Sequence, residues 1–190
     1  MSQPSIILGI DGGLAHLGFA VASCPAGAKP TVLSGGVVET TKCSIGTAAA
    51  DNVRRARELA LALEAVVAEW RPARIVAEAM SHPRNSRAAA MLSMSWGVIA
   101  AIAERHSIPV DVKGPMALKR AMTGNQTASK DEMIAAVREQ YPEVQWPARR
   151  DLHEHLADAV AAIHAFEGPA PAGIAVSKTA SARVGTSGAR

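Results

Sequence analysis

The chain has 190 residues, of which 48% are hydrophobic and 3% aromatic, with a formal net charge of +3. That length suits one domain with a sizeable core, and a second catalytic domain is not expected to fit. With no basic, cleavable leader and no uninterrupted apolar run of spanning length, the chain is expected to be a globular cytoplasmic protein, with no membrane partner. Two cysteines, Cys24 and Cys43, are too few and too far apart for a disulfide framework or a zinc site.

The first third reads as three strands, Ile6 to Asp11, Leu17 to Ser23 and Thr31 to Glu39, separated by Gly, Pro and small residues, which suggests antiparallel pairing. From Ala48 to Trp70 the period becomes helical. Val53, Ala56, Leu59, Leu63, Val66 and Trp70 form the expected apolar face, with Arg54, Arg55, Arg57, Glu64 and Glu69 off it, and Arg71-Pro72 stops the helix. A fourth strand, Arg74 to Ala79, leads through a loop at Ser81 to Ser86 into a helix from about Arg87 to Arg105. That helix is apolar or small nearly all round, so it is expected to bury one side on the sheet and the other on a second copy of the chain. Pro109 to Val112 reads as a fifth strand, followed by helices at about Pro115 to Met122, Ser129 to Tyr141 and Arg150 to Phe166. From Gly168 onward, Pro, Ala, Gly, Ser and Thr dominate and the only charges are Lys178, Arg183 and Arg190, which reads as a disordered basic tail. The organisation is therefore a domain over 1–167 and a flexible tail over 168–190. The order β-β-β-α-β-α-β-α resembles that of the ribonuclease-H-like fold, an α/β class with a mixed five-stranded sheet and helices on both faces.

Two strand-like runs end in acids. Ile6-Ile7-Leu8-Gly9-Ile10 leads into Asp11, and Ile75-Val76-Ala77 into Glu78. A charge at the end of a buried strand is costly unless something pairs with it, and two of them suggest a shared cation. On the last helix, at 100° per residue, Leu152, Leu156, Ala159, Ile163 and Phe166 make an apolar stripe with His155 and Asp158 together on its flank, while His153 and Glu154 fall on other sides. Asp11, Glu78, His155 and Asp158 thus make an oxygen-rich donor set that suits Mg²⁺, or Mn²⁺ in its place, and phosphoryl chemistry of the two-metal kind. Taken singly, Asp11 also reads as a surface acid capping a strand, and Ile10-Asp11-Gly12-Gly13 as the phosphate loop of a sugar kinase or actin-like ATPase. The latter needs a duplicated domain that this length does not hold.

Basic residues bracket these acids. Lys113, Lys119, Arg120 and Lys130 surround the turn Thr123-Gly124-Asn125-Gln126-Thr127, where positive charge and exposed amides can meet phosphates. Arg84 and Arg87 follow Glu78, and Arg149 and Arg150 open the helix that carries His155.

With these residues in view, the chain resembles the RuvC family of Holliday junction resolvases over roughly Ile6 to Phe166. The opening Ile7-Leu8-Gly9-Ile10-Asp11-Gly12-Gly13 with Gly18 is similar to the family's strand-Asp-Pro-Gly motif, and Ile75-Val76-Ala77-Glu78 to its second acidic strand. Lys119, Gly124 and Lys130 are spaced as in its DNA-binding lysine region, and His155-Leu-Ala-Asp158-Ala is similar to its last acidic helix. The resemblance implies that Asp11, Glu78 and Asp158 are catalytic metal ligands, with His155 at a position where family members carry Asp or His. It also implies that Lys119 and Lys130 hold phosphates near the cut, and that a homodimer, through the helix near 87–105, makes paired nicks in a four-way DNA junction. Two departures stand out: Gly12 replaces the family's Pro, and Ser81-His82 replace an aromatic that stacks on a base. Activity on flaps or other branched DNA, an RNA-directed nuclease, and a non-cutting scaffold of the same fold are the alternatives they raise.

Overall fold

The computed structural model describes residues 4–44, 46–80 and 85–166. The expectations for Ser81, His82 and Arg84 and for the tail from Gly168 fall outside these residues.

Five strands, β1 (Ser5–Asp11), β2 (His16–Cys24), β3 (Thr31–Glu39), β4 (Arg74–Glu78) and β5 (Val110–Lys113), form one sheet in the order β3-β2-β1-β4-β5. The first three pair antiparallel, as hairpins dictate, and β1/β4 and β4/β5 pair parallel across helical connections. The helices are α1 (Ala48–Trp70), α2 (Ser86–Arg105), α3 (Pro115–Thr123), α4 (Lys130–Gln140) and α5 (His153–His164). The mixed five-stranded sheet expected from the element order is what forms.

Alternation along the strands divides the core in two. Leu8, Ile10, Leu17, Val21, Ile75 and Ala77 face α1 and α2, burying Leu59, Leu63, Val67, Ile99, Ile102 and Ala103. Ile7, Ala20, Ala22 and Val76 face the other way, towards Leu118, Met122, Met133, Val137 and a run of small residues on α5. Helix α5 can lie this close because two strand glycines receive it. A Cβ on Gly9 would stand 2.1 Å from the carbonyl oxygen of Ala159, and one on Gly18 2.0 Å from that of His155.

Three local differences from expectation have physical causes. On α1 the buried stripe is Asp51, Arg55, Leu59, Leu63 and Val67, so Val53 turns outward at 63% exposure and Arg55 turns inward. The inward polar groups are satisfied: Arg55 Nε donates to Thr40 Oγ1 at 2.8 Å, and Asp51 accepts from the Cys43 amide at 3.1 Å. The last helix does not begin as an α-helix at Arg150; Arg150–Leu152 form a 3₁₀ turn, a common tightening of a helix start. Helix α2, finally, is by length and composition apolar enough to cross a membrane, contrary to the expectation that no segment is. Its acidic and basic residues sit at its ends, and one side packs on α1 through Ile99, Ile102 and Ala103 while much of the rest is open.

Candidate metal and nucleic-acid site

Parallel pairing of β1 with β4 sets Ile10 beside Ala77, so the next residues, Asp11 and Glu78, leave the sheet side by side at the same strand ends. The glycine seats under α5 bring the third acid over them. Ligand oxygens of Asp11, Glu78 and Asp158 lie within 4.8 Å of one another, each side chain half-buried. His155 stands one turn before Asp158, and its Nδ1–H donates to Asp11 Oδ2 at 2.7 Å. That bond orients the ring and leaves the Nε2 lone pair, which lies 3.8 Å from Glu154 Oε1.

The electrostatics are those of crowded carboxylates whose mutual repulsion and burial outweigh the nearby positive charge. Burial, then the charges of Asp158 and Asp11, pushes Glu78 up to about 8, against the opposing pull of Lys119 and Lys130. Burial, then Asp11 and Glu154, pushes Asp158 up to about 7. For His155, burial by itself disfavours the charged ring, but the bond to Asp11 and the surrounding acids outweigh it and raise its pKa above the usual imidazole value. Three hard oxygen donors that repel one another are a fitting seat for Mg²⁺ or a similar divalent ion, which would relieve the repulsion.

Of the basic residues singled out in the sequence, three among the described residues come near this cluster. Lys113 is the β5 partner of Glu78, and its carbonyl accepts from the Ala79 amide at 2.7 Å. Lys119 and Lys130 act electrostatically on Glu78, and Lys130 forms an ion pair with Glu154. Arg120 instead spans the Gly124 turn, donating to Gln126 Oε1 at 2.6 Å. Arg87 is exposed on the first turn of α2, which Asn85 caps by accepting from the Ala88 amide at 2.8 Å.

Sequence patterns did not reveal His16, Glu39 or Glu154 as neighbours of the site. Glu154 was expected on another side of the helix, yet its charge reaches both His155 and Asp158. His16 opens β2 one residue earlier than the apolar pattern suggested, and its ring lies 5.1 Å from that of His155. The departure at residue 12 lies against α2 in a tight space. A Cβ there would meet Ile99 Cδ1 at 3.2 Å and the Trp96 indole at 3.5 Å, so α2 fills the space that a larger residue would need.

With this geometry in place, the comparisons with known proteins are specific. A family model described as Crossover junction endodeoxyribonuclease RuvC matches residues 7–164. The crossover junction endodeoxyribonuclease RuvC of Synechococcus sp. (strain WH7803) is 32% identical over 155 residues, which cover 82% of this chain and 93% of that protein. That of Anaeromyxobacter dehalogenans (strain 2CP-C) is 33% identical over 133 residues, covering 70% and 68%. Among solved structures, T. thermophilus RuvC in complex with Holliday junction substrate superposes with a TM-score of 0.69 at 27% identity, covering 83% of this chain and 92% of that one. The yeast mitochondrial Holliday junction resolvase Ydc2, at 12% identity and a TM-score of 0.60 over 87% and 78% of the two chains, shares the fold. Strand-end acids seated under a helix by two glycines, and a match along nearly the whole described chain, lead to one conclusion: the protein belongs to the RuvC family of crossover junction endodeoxyribonucleases.

Proposed function

We propose that this chain is a Holliday junction resolvase: a structure-selective endonuclease that hydrolyses phosphodiester bonds at four-way DNA junctions, in pairs, as a cytoplasmic homodimer in recombination and repair. The observation that carries this reading is the gathering of three carboxylates within 4.8 Å at the ends of two parallel strands and the facing helix. Asp11, Glu78 and Asp158 would hold divalent metal, Mg²⁺ first and Mn²⁺ in its place, with His155 beside them. Two such ions, when bound, would supply Lewis-acid activation of water and stabilisation of the leaving oxygen.

The chain's own residues do the rest. Asp11 holds the His155 ring through Nδ1, which leaves Nε2 as the atom able to take a proton from the attacking water as its oxygen bonds to phosphorus and the P–O bond to the departing strand breaks. Lys119 and Lys130, with Lys113 behind Glu78, offer charge to the flanking phosphates, and Arg87 and Arg120 are further candidates for phosphate contact. The apolar side of α2 left open in the protomer suits a two-fold contact. Ala56, Ala60, Met94, Gly97, Val98 and Ala101 line a groove of about 390 Å³ between α1 and α2, into which a second copy could pack. A non-cutting scaffold would have no chemical use for a complete donor set. We read residues 1–167 as the nuclease unit and 168–190 as an appended basic tail.

The test is a nicking assay on a synthetic four-way junction with Mg²⁺. Wild-type protein should cut it symmetrically, and Asp11→Asn and Glu78→Gln should not. Wild-type rates in both variants would refute the metal assignment, and cleavage confined to flaps or splayed arms would refute the junction assignment.

A further inference from the structure

We infer that His16 is a positioning residue for His155, held in place by Glu39 and Arg149; the role in cleavage rests on the nuclease reading above, while the placement of the ring does not.

Strand β2 controls His155 in two ways. At Gly18 the strand has no side chain, and the His155 carbonyl and Cβ settle onto it, the Cβ at 3.1 Å from where a glycine-18 Cβ would stand. Two residues earlier on the same strand, the His16 ring lies against the His155 ring, centroids 5.1 Å apart and planes tilted by 35°. Backbone position and ring orientation of His155 therefore come from the same strand. Asp11 fixes one nitrogen of that ring, but a single hydrogen bond allows the imidazole to pivot about it, and the His16 ring blocks that pivot on one face.

His16 is itself braced. It pairs with Glu39 across the β2/β3 ladder, and its Nε2 lies 3.7 Å from Glu39 Oε2. Arg149 Nη1 donates to the same Glu39 oxygen at 2.7 Å, and its Nε donates to Asp151 Oδ1 at 3.2 Å. Arg149 immediately precedes the 3₁₀ turn that leads into α5. The chain of contacts thus runs from the sheet edge to the start of the helix and back to the ring of His155. These side chains are a third or more exposed, so their ion pairs add little to stability. Their value lies in where they put an imidazole, since the attacking water needs Nε2 in one direction.

The experiment combines His16→Ala and His16→Phe with three readouts. Single-turnover cleavage of a four-way junction should fall by about tenfold in His16→Ala and recover to within about threefold in His16→Phe, which restores a ring against His155. Junction affinity in chelator and the melting temperature should stay as in wild type. Long-range ¹H–¹⁵N spectra, recorded at one pH, should show the His155 ring nitrogens displaced in His16→Ala and restored in His16→Phe. Unchanged cleavage in His16→Ala would overturn the inference, as would a loss traced to DNA affinity. Should wild-type protein cut no junction, the nuclease reading falls, and the ring spectra still decide: unchanged His155 signals in His16→Ala overturn the positioning role.

Discussion

Helices α5 and α2 are both rich in alanine and other small residues, yet they bury them to opposite degrees. The 12-residue α5 has seven buried residues, whereas the 20-residue α2 has four. Composition does not make the difference; the surface beneath each helix does. Under α5, Gly9 and Gly18 let the helix backbone press onto the sheet, so small side chains become core. Under α2 the sheet and α1 meet one side of the helix, through Ile99, Ile102 and Ala103, so the same residue types elsewhere on it remain as an open face. Small residues are therefore a licence for close approach, and a helix face that lacks a partner in the protomer carries that licence outward.

The sharpest way to break this contrast is to add one methyl group to each side. Gly18→Ala forces a Cβ towards a backbone oxygen, should cost on the order of 3 kcal/mol in denaturant unfolding, and should abolish cleavage by displacing His155. Gly97→Ala, where a Cβ meets nothing within 4 Å, should be neutral or gain up to about 1 kcal/mol from helix propensity. Comparable losses in both would show that the two helices are not distinguished by what lies under them.

Next in size is the effect of charging the open face. Ala101→Asp on α2 should change protomer stability by less than about 0.5 kcal/mol, because the position is exposed. On the proposed two-fold contact it should nevertheless give monomer where wild type gives dimer in sedimentation, and single nicks in place of paired ones.

On the α5 side, the strain is electrostatic and pH should expose it. Glu78, Asp158 and His155 all have raised pKa values, so each binds its proton more tightly folded than unfolded. For the carboxyls this destabilises the ion-free fold as pH climbs from their ordinary values to about 8 and about 7, and for the imidazole it removes stability as pH passes its raised value. All three signs agree. The melting temperature in chelator should fall as pH rises from about 5 to about 8, and Mg²⁺ should restore most of it at the upper end, with little effect at the lower. Glu78→Gln should flatten the chelator curve while eliminating cleavage. A chelator curve that rises over this range would contradict the placement of these groups.

The smallest expected effect concerns the Lys130–Glu154 ion pair at the rim. Glu154→Gln should free the lysine for phosphate, raise DNA affinity up to about fivefold, and steepen its dependence on salt by about one unit.

How much of this was legible in the sequence depends on the range of the cause. Strand-end acids, the helix flank shared by His155 and Asp158, and the order of elements follow from short periodicities, and the structure brings the three acids together. The inward turn of Arg55 was not legible, because it depends on Thr40, a loop residue brought near by packing. Nor was His16, whose partner Glu39 is set by strand register and whose ring contact is made across the chain. Glu154 was misplaced by an ideal helical wheel; a long side chain one residue from His155 reaches charges that its direction on the wheel does not suggest.

The contact between Trp96 and the turn after Asp11 has one more consequence. The Trp96 indole lies 3.5 Å from where a Cβ on residue 12 would stand, one position from a carboxylate of the cluster, so its emission should respond to a change of charge there. Tryptophan fluorescence during a magnesium titration, compared between wild type and Trp96→Phe because Trp70 and Trp146 also emit, should therefore give a label-free reading of ion binding at the cluster.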